Sequence, residues 1–524
     1  MISRRALLES SAALFATRLF GSPADSPSSR PSPELQNLAD TALRQAKKLG
    51  ATYADIRINR YRDQMVGVRL SKDLTTGKDL ESPFVNNDDS FGFGVRVIAD
   101  GSWGFAASPF VTREEIARIA GEAVTVARAS AKLQARPVEL APVPAYQDRW
   151  QSPFTRNPFE VPLSEKLEVL RSAVHEIKKE PRVFTGSGML MFHSEDKYFA
   201  SSEGSSIQQL VIQTLGDISA HAVDRSKGLS KSRSHRPPAL EAGYDYVAEM
   251  NFAENAPRIR EEILEHLAAP PVQPGKKDLV LLPSHLCLTI HESLGHSTEL
   301  DRALGYEANF AGTSFLTPDK LGKMRVGSDL VTVYGDRIHP QGLSTVGYDD
   351  DGVKATRFTI IDKGIFSHYQ TIRDQAHLIG EKESRGCCYA DSWASIPFQR
   401  IPNVWLAPGS DAVTPEDLIA GVDDGILIDG TGSWSIDQQR YNFQFGGDAF
   451  WEIKGGKKRG MVSRVAYQSR TPDFWQACDG ISGPAYWVQY GLFNDGKGQP
   501  EQVNAMSHGS APARFRQINV LLTD

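Results

Sequence analysis

The chain has 524 residues, 40% of them hydrophobic and 23% charged, with a formal net charge of -6 at pH 7. That length and apolar content predict a globular protein with two sizeable cores, and the acidic balance without a long basic run excludes a general attraction to nucleic acid. No apolar stretch reaches the ~18 residues of a membrane-spanning helix, and four cysteines are too few for a disulfide framework.

Residues 1–33 read as a targeting segment. Ser3-Arg4-Arg5-Ala6-Leu7-Leu8 resembles a twin-arginine export signal, and an Ala/Leu/Phe stretch runs from Ser10 to Phe20. A Pro/Ser-rich spacer follows, from Gly21 to Pro33, with a candidate cleavage site at Ser22-Pro23-Ala24. Export to the periplasm is the expectation. Glu9 and Arg18 interrupt the apolar region, so the alternative is a short N-terminal arm on a cytoplasmic chain.

An amphipathic helix opens the folded part: Leu35, Leu38, Ala39, Ala42, Leu43, Ala46 and Leu49 recur at helical spacing, and Gly50 ends it. A strand follows in which Ala54, Ile56 and Ile58 alternate with Asp55, Arg57 and Asn59. Phe91 to Ala107 reads as a hairpin turning at Asp100-Gly101. Thr112 with Glu115 forms a capping box for a helix through Ala129. Another helix is expected from Ser164 to Lys178, then alternating strands from Val183 to Val223, then a helix near Pro257 to Ala268. The run Ala269-Pro270-Pro271-Val272-Gln273-Pro274-Gly275 marks the best domain boundary.

Next comes His291-Glu292-Ser293-Leu294-Gly295-His296. Neutral imidazoles are good zinc ligands, and a carboxylate beside them can accept a proton from water. The common zinc-protease spacing of i and i+4 puts two histidines about 40° apart on a helix at ~100° per residue. Here the spacing is i and i+5, roughly 140° apart. A π-bulge, or a helix that loosens before His296, would bring both rings to one ion, with Gly295 where the distortion costs least.

Beyond the motif the pattern turns mostly to β. Leu330 to Tyr334 and Lys354 to Ile361 read as strands, with a turn at Asp362-Lys363-Gly364 and a return strand from Ile365 to Thr371. Tyr441 to Ile453 and Met461 to Gln468 flank a Gly-Gly-Lys-Lys-Arg-Gly turn. The fold class predicted is α+β in two domains. Residues 34–268 form a helix and antiparallel-sheet domain, and residues 276–524 a β-rich domain carrying the metal site.

A catalytic zinc site normally has three protein ligands. By spacing alone Cys478, on a glycine-bearing turn, is no better a third ligand than Cys287, one helical turn before His291. The adjacent Cys387 and Cys388 read as packing residues.

At this point the chain resembles the TldD/PmbA (TldD/TldE) family. The segment from His291 to Asp301 is similar to its His-Glu-x-x-x-His signature. Leu49-Gly50-Ala51-Thr52-Tyr53-Ala54-Asp55-Ile56-Arg57 resembles its N-terminal strand. Gly92 to Val97 with Gly101 to Ala106 is similar to its first hairpin, and Ser384-Arg385-Gly386, Pro402-Asn403-Val404 and Pro408-Gly409 resemble the segment before its last β region.

The resemblance implies a zinc-dependent peptidase of the TldD type, with His291, His296 and Cys478 as metal ligands and Glu292 as general base. The family cysteine precedes a glycine, whereas Asp479 stands between Cys478 and Gly480. The resemblance also implies a homodimer, or a heterodimer with a metal-free TldE/PmbA-like subunit, acting on unfolded or flexible peptides. Such peptides could add as a strand to a sheet edge. Glu299 and Asp301 read either as acceptors for an imidazole N–H or as a solvated helix end. Two other functions stay open: a non-catalytic partner or chaperone subunit, and a metal-dependent amidase acting on a non-peptide or cell-wall amide.

Overall fold

The computed structural model describes residues 31–523; Arg4-Arg5 and most of the Pro/Ser-rich spacer lie outside them. The first helix, Pro33–Lys48, buries Leu35, Leu38, Ala39, Ala42 and Ala46 along one stripe, and Gly50 turns the chain at φ +87°. It packs on a seven-stranded sheet. The strands are β1 (Tyr53–Lys72), β2 (Asp79–Ala99), β3 (Ser102–Ser108), β4 (Gln147–Gln151), β5 (Val183–Ser201), β6 (Ser206–Asp224) and β7 (Leu229–His235), in the order β3-β2-β1-β5-β6-β4, with β7 on β6. The β2–β3 turn puts Asp100 and Gly101 at positive φ, the conformation a two-residue hairpin turn requires.

Helices Arg113–Ala131, Leu163–Ile177 and Phe252–Ala268 cover one face of this sheet in two apolar clusters. Thr112 accepts from Glu115 N as a cap should, but the Glu115 side chain turns to Ser108 Oγ and Arg118 instead of closing the box. The polar face of β1 is not solvated: Asp55, Arg57 and Asn59 are all buried. Segments from the C-terminal half cover it. Arg57 donates to Ser395 O at 2.5 Å, and Arg96 of β2 bridges Asp55 and Asp351 at 2.8 and 2.6 Å.

After the Pro-rich joint the chain enters strand Gly275–Leu281, in the middle of a nine-stranded sheet. A six-stranded sheet lies beside it, ordered Ile365–Phe366, Arg357–Asp362, Val333–Asp336, Asn403–Leu406, Gln502–Ser510, Val488–Lys497. Helix Pro283–Ile290 touches strands of both sheets, and Leu286, Leu288 and Ile290 join the largest apolar cluster. The motif histidines follow directly from its end.

Three expectations change. The return strand is only Ile365–Phe366. The Tyr441 to Ile453 segment is two strands, Asn442–Phe445 and Ala449–Lys454, broken where Gly446 N bonds to Ser433 O. Of the expected glycine-lysine turn only Gly455-Gly456 is a turn, and Lys457–Met461 is a strand. Among the described residues, no helix is long and apolar enough to cross a membrane.

Candidate metal centre

The awkward spacing of the two histidines is resolved by the backbone. His291–Gly295 is a π-turn, closed by His296 N donating to His291 O, and His296–Thr298 tightens to 3-10 geometry. The ring centroids come to 4.6 Å. A distorted turn leaves carbonyls without regular partners, and here side chains take them. Ser293 Oγ donates to Thr289 O, Ser297 Oγ to Ser293 O, Thr298 Oγ1 to Leu294 O, and Gln370 Nε2 to Gly295 O. Gly295 itself has an ordinary helical φ of -57°, and an added Cβ would meet no atom closer than 3.5 Å. The π-turn therefore does not need glycine for space.

Asp495 completes the group. Its Oδ1 lies 3.4 Å from His291 Nε2 and 3.4 Å from His296 Nε2. Ligands about 2.0–2.1 Å from a tetrahedral zinc stand roughly 3.3–3.4 Å from one another. The donor set fits that ion. The other oxygen, Oδ2, accepts from Arg400 Nη2 at 3.0 Å, so Oδ1 is left to face the rings. Asp495 sits on strand Val488–Lys497, whose register slips between Leu492 and Asp495; bulges of this kind re-aim side chains beside functional sites. Burial pushes its carboxyl up, and when the imidazoles of His296 and His291 are protonated their charge outweighs that and holds it well below the usual carboxylate range.

Each imidazole is also fixed from behind. His508 Nδ1 donates to Val404 O at 3.1 Å, leaving its Nε2 to accept from His291 Nδ1 at 2.9 Å. Burial and the neighbouring His291 keep His508 neutral, far below the usual histidine range. His296 Nδ1 donates to Glu299 Oε2 at 2.8 Å. Both Nε2 lone pairs are then free for a cation. Glu299 is fully buried and bonds Lys497 Nζ at 2.8 Å and Arg302 Nε at 3.1 Å. These cations hold its carboxyl well below the ordinary range against the burial that raises it. Asp301 pairs with Lys497 at 2.8 Å.

Glu292 is 5% exposed, and its Oε2 accepts from Arg440 Nη1 at 2.6 Å. Arg440 adopts φ +62°, a left-handed conformation costing roughly 1–3 kcal/mol in a non-glycine residue. The surrounding turn imposes it, through Arg440 N to Asp437 O and Thr471 Oγ1 to Arg440 O.

Among the described residues, Asp495 and not Cys478 stands within sharing distance of the two histidines. Cys478 lies on strand Cys478–Ile481 opposite Phe515 and packs into the core with Phe474 and Trp475. Burial pushes its thiol up to about 12. Cys287 is likewise buried and pushed up to about 12, and Cys387 and Cys388 pack in the same core. Among the described residues, the group of His, Cys, Asp and Glu side chains close enough to share one ion is His291, His296 and Asp495. Asp495 had one signal in the sequence. The resemblance places its ligand before a glycine, and Asp495-Gly496 meets that context with aspartate in place of cysteine. His508, Arg400, Lys497 and Arg440 had none.

An α+β chain with two histidines and a carboxylate at tetrahedral spacing has the makings of a metal-dependent enzyme, and the similarities of the chain agree. Residues 274–520 match the PmbA/TldA metallopeptidase C-terminal domain, and residues 84–127 match PmbA/TldA metallopeptidase domain 1. A protein of Methanocaldococcus jannaschii named a metalloprotease is 27% identical, over 82% of this chain and 89% of its own. A zinc metalloprotease TldD homolog of Saccharolobus solfataricus is 23% identical, over 91% and 98%. The crystal structure of TldE from Thermococcus kodakarensis shares the fold, with a TM-score of 0.70 at 18% identity over 93% of this chain and 99% of that one. The chain belongs to the PmbA/TldD metallopeptidase family.

Proposed function

We propose that the chain is a zinc-dependent, TldD-type peptidase in which His291, His296 and Asp495 hold the ion and Glu292 is the general base. The observation that carries this reading is the pair of 3.4 Å separations from Asp495 Oδ1 to the two Nε2 atoms. The ion would supply Lewis acidity at a scissile carbonyl and make water a stronger acid. Glu292 would take a proton from the attacking water and return it to the leaving amine, so that the peptide bond is exchanged for a carboxylate and an amine. Arg440 fixes one oxygen of Glu292, leaving Oε1 for the proton. His508 and Glu299 keep the imidazoles in the tautomer that presents Nε2.

Flexible peptides fit the architecture. Strand Val488–Lys497, which carries Asp495, is the edge of its sheet. A cavity of about 420 Å³ runs beside residues 490–494, with Met65, Met189 and Met191 of the seven-stranded sheet among its walls. A peptide added to that edge as a further strand would be drawn toward Asp495. Unbranched methionine adapts to varied side chains, in keeping with low sequence preference. The assembly we propose is a homodimer or a heterodimer with a TldE-like subunit.

The test is zinc content and cleavage of a flexible protein such as casein. Wild type should carry zinc and cleave. Glu292→Ala should keep the metal and lose cleavage, Asp495→Ala should lose both, and Cys478→Ala should keep its zinc. Loss of zinc from Cys478→Ala with retention in Asp495→Ala would overturn the ligand set. A zinc-loaded wild type that cuts no peptide, alone or with a TldE-like partner, would overturn the activity.

A further inference from the structure

A second cavity, of about 300 Å³, lies between the first sheet and the loops of the second half. Trp103, Tyr306 and Phe398 give it aromatic walls, and Asp301, Glu307 and Asp374 give it carboxylates. Some of the charges there are already matched. Arg96 is spent on Asp55 and Asp351 and stacks on Trp103 at 4.5 Å. Asp301 is spent on Lys497.

What remains is one-sided. Asp374 Oδ2 accepts from Trp103 Nε1 at 3.0 Å, but its Oδ1 is buried with no partner. Glu307 Oε2 is buried with no partner. Gln375 and Gln502, 5% and 3% exposed, line the same cavity, and each has a buried Oε1 with no partner; the Gln502 amide is oriented by its Nε2 donating to Ile396 O at 2.8 Å. All four orphaned atoms on these walls are acceptors. A buried acceptor left unmatched costs roughly 1–3 kcal/mol, so four around one space describe a missing donor.

We infer that this cavity binds an organic cation, an alkylammonium or alkylguanidinium group, with its charged head against Asp374 and Glu307 and its apolar stem along Trp103 and Phe398. Such a head supplies only donors, several at once, and aromatic faces attract it further. Burial raises both carboxyls; at Asp374 the neighbouring Asp351 adds to it, and at Glu307 Lys497 offsets part of the burial while Asp301 and Glu299 push the carboxyl further up; a bound cation relieves that repulsion. The head could come from a free amine or from a lysine or arginine side chain of a polypeptide.

Calorimetric titration of the full chain with n-butylammonium, butylguanidinium and an acetylated, amidated Ala-Lys-Ala peptide tests this directly, whether or not the chain proves to be a peptidase. At least one cation should bind saturably and neutral n-butanol should not. Glu307→Gln and Asp374→Asn, made singly and checked for an unchanged melting temperature, should each weaken binding roughly tenfold or more. Tighter binding of the peptide than of butylammonium would identify a polypeptide as the source, and the reverse order a free amine. The inference is overturned if no cation binds saturably, if butanol binds as well, or if the two variants bind as tightly as wild type.

Discussion

At the scale of single residues, the site depends on which nitrogen each imidazole presents. His508 sets this for His291 from 217 residues away, through a hydrogen bond that only a neutral acceptor can take. His508→Leu keeps the bulk but leaves His291 Nδ1–H unmatched, so zinc affinity should fall roughly 10–100-fold. His508→Gln, which retains an acceptor, should fall between the two; chelator competition measures both, and a leucine variant with wild-type affinity would remove His508 from the account. Gly295→Ala is the opposite case. Its helical φ and open Cβ position predict retained zinc and activity, with stability equal or raised by about 0.4–1 kcal/mol; a thermal melt and the zinc assay decide. The half of the site written in six consecutive residues was legible in the sequence, because His291, Glu292 and His296 are the residue types a metal site uses and stand close together in the chain. Asp495, His508 and Arg440 were not, because an aspartate, a histidine and an arginine have no local pattern until the sheets bring them in.

At the scale of elements, regular periodicity was legible and irregular backbone was not. The helices at 33–48, 113–131 and 163–177 and the hairpin turning at Asp100-Gly101 were readable because their apolar residues recur at 3.6 or 2 and the turn carries Asp-Gly. The hairpin of Val488–Lys497 and Gln502–Ser510 escaped notice: Gly491, Gly496, Gly498, Pro500 and Gly509 interrupt its alternation, and those glycines accompany the bulge that re-aims Asp495. The π-turn was readable only as a requirement of the His spacing. The helix that leads into it makes a pH prediction. His285 Nδ1 donates to Gly430 O and its Nε2 pairs with Tyr467 OH, both at 2.8 Å, and burial pushes its pKa down to about 4. The unfolded chain takes up this proton near pH 6.5 and the folded chain does not. The stabilisation from neutral His285 is therefore complete above pH 6.5 and lost as pH falls toward 4, by at most about 3 kcal/mol. Urea unfolding at pH 6.5 and 4.5 should show the loss in wild type, and His285→Gln should lower stability overall but flatten that slope. Equal slopes would refute it.

At the scale of the whole molecule, charged pairs join the two halves. Lys197 meets Asp350 at 3.0 Å, Arg373 meets Glu203 at 2.7 Å, and Arg233 meets Asp429 and Asp448, each at 2.6 Å. Arg96 between Asp55 and Asp351 is the most enclosed, with all three side chains at most 4% exposed. A buried pair adds little over an apolar replacement, yet losing one partner strands the other's charge. Arg96→Met should therefore cost about 3–5 kcal/mol at neutral pH, and combining it with Asp55→Leu and Asp351→Leu should recover much of that. The loss should itself depend on pH. Burial raises the Asp351 carboxyl, but Arg96 and then Arg373 bring it below its ordinary 3.8. A depressed carboxyl contributes stability that is present above its unfolded pKa and disappears as pH falls through the folded one. Without Arg96 that contribution is largely gone, and Asp351 can take up a proton at higher pH. The gap between wild type and Arg96→Met in urea unfolding should be widest near pH 7 and close as pH falls toward 3.8 and below. A gap of constant size would mean that Arg96 holds the halves together by its packing on Trp103, and that its charge is incidental.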